Sequence, residues 1–402
     1  MKLSRCIAGL SGLFLLLCAG QGSGQAQPLN TWSSEHYRVL TDSGVTAAME
    51  ISRKLEAALS LYNEYLHFDL DLLESPLRVR IFSDKDDYDS YLNRLISETR
   101  SDFVYISYSD PNRSELVGFR KDEEDFDPSL LHYGFIQFLS AFMPAAPLWI
   151  EEGMATYLEH SQYDPMTESF SWRANFAWLE SLKKLLSSEE VTDKYTLRDL
   201  LLINKTQAQA GIEIFYPSAW GLVHFLLQSP ERVHNRILWD SLATLDSTAG
   251  LGANSRLVLE KAFRWVDLRE LQSSFQSYIS SLMTFNDLVR LGVEQYGTEE
   301  LSAARSSFER ALTLRSDNYI PYYYLGLIAY QEKDFELART YYARAREMGI
   351  DTALINYALG VNAFADQRYD QAADYLLEAK RLDADSYTEK CDSLLQRIEV
   401  IR

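Results

Sequence analysis

The chain has 402 residues, of which 47% are hydrophobic and 13% are aromatic, so it is long enough for two or three domains with substantial cores. Its formal net charge of −19 repels phosphate backbones, which makes nucleic acid an unexpected partner and favours a soluble surface. With Cys6 and Cys18 near the start and Cys391 near the end, the composition excludes an internal disulfide framework and cysteine-based zinc ligation.

Residues 1–27 have the pattern of an export signal. Lys2 and Arg5 give the start a positive charge, and residues 7–19 form an apolar stretch too short to span a bilayer. Cleavage is predicted after Ala26, which ends a small-x-small sequence. We therefore expect an exported protein of the periplasm or the bacterial envelope.

Two alternatives to cleavage remain for this N-terminal segment. Cys18 could carry a lipid anchor, although Leu17 is bulky for the residue before a lipidated cysteine. The segment could also stay uncleaved as an N-terminal anchor.

The first half of the remaining chain alternates between strand and helix patterns. Strands are indicated by period-two alternation and the helix by apolar residues at helical spacing. This order is typical of an α+β domain. The predicted elements are strands at residues 35–41 and 77–82, a helix at 45–66, and a strand pair at 103–107 and 115–119.

Two helical segments joined by a Pro-Ala-Ala-Pro turn carry the most chemical information. A zinc peptidase of the His-Glu-x-x-His type needs two imidazoles four residues apart on one helix face, with a carboxylate base beside the first. A third ligand, often a glutamate, comes from the next helix. In this chain His132 occupies the first imidazole position, Tyr133 the base position, Ile136 the second imidazole position and Glu152 the third-ligand position.

The second segment, which reads W-x-x-E-G-x-A-x-Y, resembles the glutamate helix of the gluzincin, or peptidase MA-like, metallopeptidases. The residues that match are Trp149, Glu152, Gly153, Ala155 and Tyr157. On the preceding helix only His132 matches the family pattern. The resemblance extends loosely over residues 32–282 and implies a sheet above the first motif helix, an edge strand beside the substrate cleft and a helical subdomain behind.

The departures from this family pattern fall on the residues that perform its chemistry. Ile136 cannot coordinate a metal, and Tyr133, whose ordinary pKa is about 10, is a poor substitute for a carboxylate base. We therefore expect no metal, no cofactor and no peptidase activity, with His132 as a hydrogen-bonded core histidine and Glu152 as a paired carboxylate. An active zinc metallopeptidase with altered ligands, and peptide binding in the old cleft without cleavage, remain as alternatives.

From residue 286 onward the chain repeats itself every 34 residues. Small residues recur where two helices must approach closely, and a large residue recurs where it fills the gap between them. This pattern resembles the tetratricopeptide repeat (TPR) and predicts three repeats followed by a capping helix over residues 387–401. Representative positions are Gly292, Gly326 and Gly360 in the first helices, and Phe308, Tyr342 and Leu376 in the second helices.

Two positions in the first helix of each repeat are mostly aromatic. They are Val289, Tyr323 and Tyr357 at one position, and Tyr296, Tyr330 and Phe364 at the other. In TPR arrays the first helices line a groove that holds peptides or partner helices, and no basic residue recurs here to clamp an acidic tail. We expect a protein-binding groove for an apolar segment, the alternative being that these side chains only pack between repeats.

These patterns together predict a signal peptide at 1–27, an α+β gluzincin-like domain with a helical second half at 28–285, and an all-α TPR solenoid at 286–402. The predicted function is that of an exported, non-catalytic scaffold that binds proteins or peptides.

Overall fold

The computed structural model describes residues 29–108, 110–121, 123–187 and 196–401. The predicted signal peptide and the lipidation alternative at Cys18 lie outside the described residues. The chain divides into two compact units, the first ending at Leu282 and the second beginning at Met283, whereas the sequence analysis placed this boundary between residues 285 and 286.

A mixed sheet lies in the first unit. Its strands are β1 (Asn30–Ser33), β2 (Tyr37–Thr41), β3 (Leu77–Phe82), β4 (Val104–Ile106) and β5 (Glu115–Phe119). They are ordered β1-β2-β3-β5-β4, with the two central pairs parallel and the two outer pairs antiparallel. The sheet therefore ends in two antiparallel edge strands, β1 and β4.

Helices make up most of the rest of the first unit. They are α1 (Val45–Leu66), α2 (Lys85–Ile96), α3 (Glu123–Phe142), α4 (Leu148–Leu158), α5 (Leu179–Leu186), α6 (Leu197–Leu202), α7 (Lys205–Ala210), α8 (Ile212–Gln228), α9 (Arg232–Thr244), α10 (Leu251–Lys261) and α11 (Leu268–Ser281). A small hairpin, β6 (Gln162–Asp164) and β7 (Ser169–Ser171), follows α4. None of the helices in the described part of the chain combines the length and the apolar character needed to cross a bilayer.

The main core lies on one side of the sheet, between the strands and α1, α3 and α4. Val79 and Ile81 point to this side and are fully buried, which follows from the alternation of side chains along β3. A smaller apolar cluster on the other side, which includes Leu92 and Val117, is covered by α2. The structure therefore has the predicted α+β character of a small sheet packed with helices.

Several predicted elements have the observed bounds, and others differ for identifiable reasons. The helix at 45–66 and the strand at 77–82 agree with the prediction. The strand predicted from residue 35 begins at Tyr37, because the backbone N–H of His36 donates to the Glu56 carboxylate instead of to a neighbouring strand. β1 was missed because three of its four residues are exposed, which removes the alternation that marks a half-buried strand.

Helix α8 begins at Ile212 and contains Pro217. The turn before this proline is closed by bonds from the N–H groups of Ile214 and Phe215 to the carbonyl of Gly211. Proline itself has no N–H to donate to the carbonyl four residues earlier, so α8 lacks one backbone hydrogen bond at this point.

The second unit is an array of paired helices. They are α12 (Phe285–Gly297), α13 (Leu301–Leu314), α14 (Tyr319–Gln331), α15 (Phe335–Glu347), α16 (Thr352–Ala365), α17 (Tyr369–Leu382) and α18 (Ala384–Ile401). The pairs α12–α13, α14–α15 and α16–α17 pack closely, so the predicted helical repeat array is confirmed.

Each helix pair is held close by the predicted glycine. A Cβ added at Gly292 would lie 2.8 Å from the Phe308 ring, one at Gly326 would lie 2.5 Å from the Tyr342 ring, and one at Gly360 would lie 2.8 Å from Leu376. The 34-residue period in the sequence is therefore a period of close helix contacts, as TPR-like packing requires.

The last helix, α18, continues the array as an additional first helix. Cys391 and Ile398 extend the two groove positions by one more period, and both are fully buried. The glycine position of this helix is occupied by Leu394. The predicted start of this helix, residue 387, is three residues after the observed one.

Candidate functional site

The structure brings together the two motif helices, α3 and α4. His132 on α3 and Glu152 on α4 lie side by side, with 3.2 Å between Nε2 of the histidine and Oε2 of the glutamate. The buried Tyr62 hydroxyl on α1 anchors α3 by donating to the carbonyl of Leu131 at 2.7 Å. Because Leu131 directly precedes His132, this bond fixes the position of the imidazole in the core.

The glutamate helix is itself fixed by its motif residues. A Cβ at Gly153 would lie 2.6 Å from the carbonyl oxygen of Ala219, so only glycine lets α4 approach α8 this closely. Trp149 is fully buried and packs edge-on against Phe263. The residues shared with the gluzincin motif therefore position Glu152 by packing.

A second carboxylate, Glu159, completes the surroundings of His132. Nδ1 of the histidine lies 2.8 Å from Oε2 of Glu159, and the other Glu159 oxygen accepts from Nδ2 of Asn175 at 2.9 Å. His132 and Asn175 are both buried. The imidazole is thus held between two carboxylates, one at each ring nitrogen.

This arrangement favours the protonated histidine. Burial alone lowers the pKa of His132, but the hydrogen bonds to Glu152 and Glu159 outweigh burial and raise the pKa from 6.5 to about 10. At neutral pH the ring is an imidazolium, and both N–H groups donate to carboxylate oxygens. It therefore offers no free nitrogen lone pair.

The two substituted positions on α3 are filled by core side chains. Ile136 and Tyr133 are both buried. The centroid of the Tyr133 ring lies 6.4 Å from that of the Phe103 ring, and the two ring planes are tilted by 31°. Burial, together with the charges of Asp102 and Glu152, raises the pKa of the Tyr133 hydroxyl well above its usual value. Tyr133 is therefore a neutral phenol at any ordinary pH and does not act as a base.

Other ionisable groups line the same site. Glu151 has its pKa raised to about 7, first by burial and then by Glu152, while Lys205 and His132 act in the opposite direction. Tyr216 on α8 lies near the Glu152 carboxylate, and burial, followed by the charge of Glu152, raises the pKa of its hydroxyl well above the usual value. Edge strand β4 contacts α3, the helix that carries His132.

The side chains around His132 do not provide the ligands that a catalytic zinc ion needs. The 3.2 Å between His132 Nε2 and Glu152 Oε2 would suit two ligands of one tetrahedral zinc with bonds of about 2.0–2.1 Å. A catalytic site needs a third protein ligand, and Ile136 supplies none. Within the described residues no group of three or more His, Cys, Asp or Glu side chains is arranged to hold a metal.

Glu159, Asn175 and Tyr216 were not predicted as site residues from the sequence. A usable signal existed for Glu159, since it lies seven residues after Glu152 and two helical turns bring such residues to one face. Asn175 and Tyr216 come from later segments, so no local spacing could reveal them.

The predicted groove residues of the second unit are all partly exposed. They are Val289, Tyr296, Tyr323, Tyr330, Tyr357 and Phe364. Burial, followed by neighbouring tyrosines that include Tyr387, raises the pKa of Tyr323 to about 12. These six side chains, most of them tyrosines, make up the tyrosine-rich surface of the first helices.

The last helix covers one end of this surface. The Tyr357 ring lies 5.2 Å from the Tyr387 ring, and the Arg397 guanidinium lies 4.9 Å from the Phe364 ring. Tyr323 in the middle repeat instead contacts Tyr324 and Tyr342 of its own repeat. The aromatic side chains of this surface thus pack against neighbouring rings while staying partly exposed.

Comparison with known proteins gives one family match. A family described as "Protein of unknown function (DUF1570)" matches residues 138–241. The match contains Glu152, Glu159 and Tyr216, and His132 lies before it. No curated protein matches the chain.

Solved structures with some similarity include TPR and secretion-chaperone proteins. The type III secretion chaperone SycD of Yersinia enterocolitica, in complex with a peptide of the translocator YopD, has 18% identity and a TM-score of 0.27, covering 29% of this chain and 92% of that chain. A T3SS complex from Aeromonas hydrophila has 15% identity and a TM-score of 0.27, with coverages of 32% and 96%. YrrB, a TPR protein with an unusual peptide-binding site, has 17% identity and a TM-score of 0.26, with coverages of 45% and 92%.

Proposed function

We propose that the chain is an exported scaffold that binds proteins or peptides through its TPR-like array and carries a gluzincin-like unit that has lost peptidase activity. The observation that carries the proposal is the tyrosine-rich surface of the first helices. The state of His132 supports the loss of activity.

The donor set around His132 disfavours hydrolysis. With a pKa of about 10, the imidazolium must lose a proton before it can bind a metal, which at pH 7 weakens metal binding by about a thousandfold. Tyr133 and Ile136 supply neither a base nor a ligand. The ion pairs with Glu152 and Glu159 make the cluster a structural element that ties α3 to α4.

The second unit carries the side chains that favour protein binding. Partly exposed aromatic side chains at the centre of a groove are the residue type that dominates binding energy at protein interfaces. Tyr323 and Tyr330 lie seven residues apart on α14 and so fall on one face of that helix. An apolar helix or extended segment of a partner protein suits such a surface.

A site-specific crosslinking experiment tests the binding proposal. A photo-reactive phenylalanine analogue at position 323 of the full chain should form adducts with a partner in an envelope extract. Tyr323→Ala should weaken capture of that partner by about tenfold or more, equivalent to about 1.4 kcal/mol.

The matched control is Leu377→Ala, which removes a side chain that is 54% exposed on a second helix. It should leave capture unchanged. If position 323 gives no adduct, or if Tyr323→Ala melts normally and captures the same partner equally well, the groove is not the binding site.

A second candidate function is peptide binding in the old cleft without cleavage. This function is favoured by the edge strand β4. The pKa of Tyr105 on β4 is raised first by burial and also by the charge of Glu151, which neighbours Glu152. An extended peptide can add to such an edge through backbone hydrogen bonds. A crosslinker at position 105 that traps peptide while one at 323 does not would favour this function over the groove.

The remaining alternative is a zinc peptidase with altered ligands. It requires hydrolysis of an unfolded protein substrate that depends on added zinc and is lost in His132→Ala. We expect no such hydrolysis.

A further inference from the structure

Five arginines gather on the outer face of the sheet, beside α2. They are Arg38 on β2, Arg78 and Arg80 on β3, Arg94 on α2, and Arg113 just before β5. We call them the arginine face. Such a concentration of positive charge is notable in a chain whose net charge is −19.

The sheet register places these side chains together. Arg38 and Arg78 are direct partners across β2 and β3, so they project from the same face. Arg80 lies two residues further along β3 on that face, and its guanidinium stacks 4.6 Å from the Tyr91 ring. The Arg94 guanidinium lies 6.0 Å from the same ring, and that of Arg113 lies 4.8 Å from the Tyr108 ring.

One buried carboxylate, Glu115, holds the side chains at the bottom of this face in place. It accepts from Nε of Arg80 at 3.2 Å and from the hydroxyl of Tyr91, and it lies 3.8 Å from a terminal nitrogen of Arg78. Across the described ranges, Glu115 is the one carboxylate paired with any of the five arginines. Most of the positive charge on this face is therefore not neutralised by ion pairs.

Two observations go beyond ordinary surface charge. Nε of Arg78 is buried and has no hydrogen-bond partner among the described residues, which leaves a donor unsatisfied. The guanidinium groups of Arg80 and Arg113 are stacked on tyrosine rings, so less side-chain entropy is lost when they bind a ligand. The face is thus partly organised before any ligand arrives.

We propose that the arginine face docks an acidic, extended peptide segment of a partner protein, recognised through its carboxylates. Arg38 and Arg113 are exposed and the Arg78 side chain is 33% exposed, so these three guanidinium groups can reach a ligand. Arg80, by contrast, is paired with Glu115 below them. Several acidic residues along one extended segment can pair with these groups together. Arginine pairs with carboxylates through two parallel hydrogen bonds, and Glu115 already shows that carboxylates fit among these groups.

The charge distribution favours a peptide over an anionic membrane or a nucleic acid. At physiological salt, charges separated by more than a Debye length of about 8 Å are largely screened from each other. A narrow peptide bound to the arginine face therefore interacts electrostatically mainly with the arginines of that face. A bilayer or duplex extends over a wider area and also meets the acidic remainder of the protein. None of the large exposed apolar side chains of the described residues belongs to this face, so it offers nothing to insert into a bilayer.

The test uses the full chain and a labelled peptide of alternating Glu and Ser, with a Gln-and-Ser peptide of equal length as its neutral match. Fluorescence anisotropy should show saturable binding of the acidic peptide alone, weakened as salt is raised from about 50 mM to about 200 mM. Arg38→Glu with Arg113→Glu should weaken binding by about tenfold or more.

The charge-matched control is Arg236→Glu with Arg269→Glu, at exposed sites on α9 and α11. It should change affinity by less than about twofold, since those charges lie outside the arginine face. Arg38→Gln provides a milder variant if the double substitution lowers the melting temperature.

Four results would overturn the proposal. They are equal binding of the neutral peptide, equal weakening by both double variants, no saturable binding up to about 1 mM peptide, or tenfold tighter binding to phosphatidylglycerol vesicles or an oligonucleotide. The inference does not depend on the proposed function of the TPR-like array, which the Tyr323→Ala variant tests separately.

Discussion

Nδ1 of His132 lies 2.8 Å from Oε2 of Glu159, and this bond keeps the imidazole protonated while Glu152 holds its other nitrogen. In histidine–zinc sites a carboxylate commonly supports the ring nitrogen that faces away from the metal. Here Glu159 occupies the position of that carboxylate, and the opposite nitrogen, Nε2, donates a hydrogen bond to Glu152. The proton on Nε2 therefore lies where a histidine–zinc site would hold its cation.

The first prediction concerns the protonation of His132. In Glu159→Gln the ring loses one charged acceptor, so its pKa should fall from about 10 by about one unit or more. Titration of the His132 ring carbon and nitrogen signals by NMR measures this directly. Glu168→Gln, on an exposed turn, is the control and should leave the pKa unchanged. A wild-type ring that titrates near 6.5 would contradict the assigned ion triad.

The second prediction concerns Glu151 and the pH dependence of stability. Its pKa of about 7 exceeds the ordinary value of 4.5, so the folded state binds this proton more tightly than the unfolded state. The contribution of protonated Glu151 to the free energy of unfolding is fully present below about pH 4.5, and it is lost as pH rises through about 7. The two pKa values differ by about 2.5, and each unit is worth about 1.4 kcal/mol, so Glu151→Gln should gain about 3 kcal/mol relative to wild type between pH 4.5 and 8.

Urea denaturation of both proteins across this range measures the difference. The contribution of His132 falls in a separate window, since its stability is present below about 6.5 and is lost as pH rises through about 10. A difference between wild type and Glu151→Gln that does not change from pH 4.5 to 8 would show that the carboxyl titrates normally.

The third prediction restores a metal site. Tyr133→Glu with Ile136→His adds a base and a second imidazole four residues after His132, on the same helix face. This variant should bind one zinc ion per chain, more tightly at pH 8 than at pH 6 because His132 must release its proton. Metal analysis after dialysis measures the content, and adding His132→Ala should abolish it. Absence of zinc from a folded variant would mean that the helix geometry no longer supports the three-ligand arrangement.

The fourth prediction concerns the packing of the glutamate helix. Gly153→Ala places a methyl group 2.6 Å from the carbonyl of Ala219, which forces α4 and α8 apart and should cost about 2 kcal/mol. Gly252→Ala is the matched control on an exposed helical glycine whose nearest neighbour would be 3.8 Å away. It should be neutral or slightly stabilising because alanine favours helix. Equal stability of the two variants would show that Gly153 is not required for close approach.

Local patterns in the amino-acid sequence were sufficient for the repeats and for several elements of the sheet unit. The 34-residue period identified Gly292, Gly326 and Gly360 because each contact in a repeat array recurs between neighbours in sequence. Helical spacing gave the bounds of α1 for a similar reason, since its apolar stripe is visible within a single turn or two. The pairing of His132 with Glu152 followed from a motif that spans only one tight turn.

Other features required the assembled fold. The hydrogen bonds of Glu159 with His132 and with Asn175 form only once the fold brings these residues together. In the same way, Tyr216 lies near Glu152 only because α8 packs against α4. The arginine face likewise depends on strand register, which sets Arg38 beside Arg78 although they are far apart in sequence. Protonation depends on the same packing, because burial and neighbouring charges are properties of three-dimensional surroundings and leave no periodic trace in the chain.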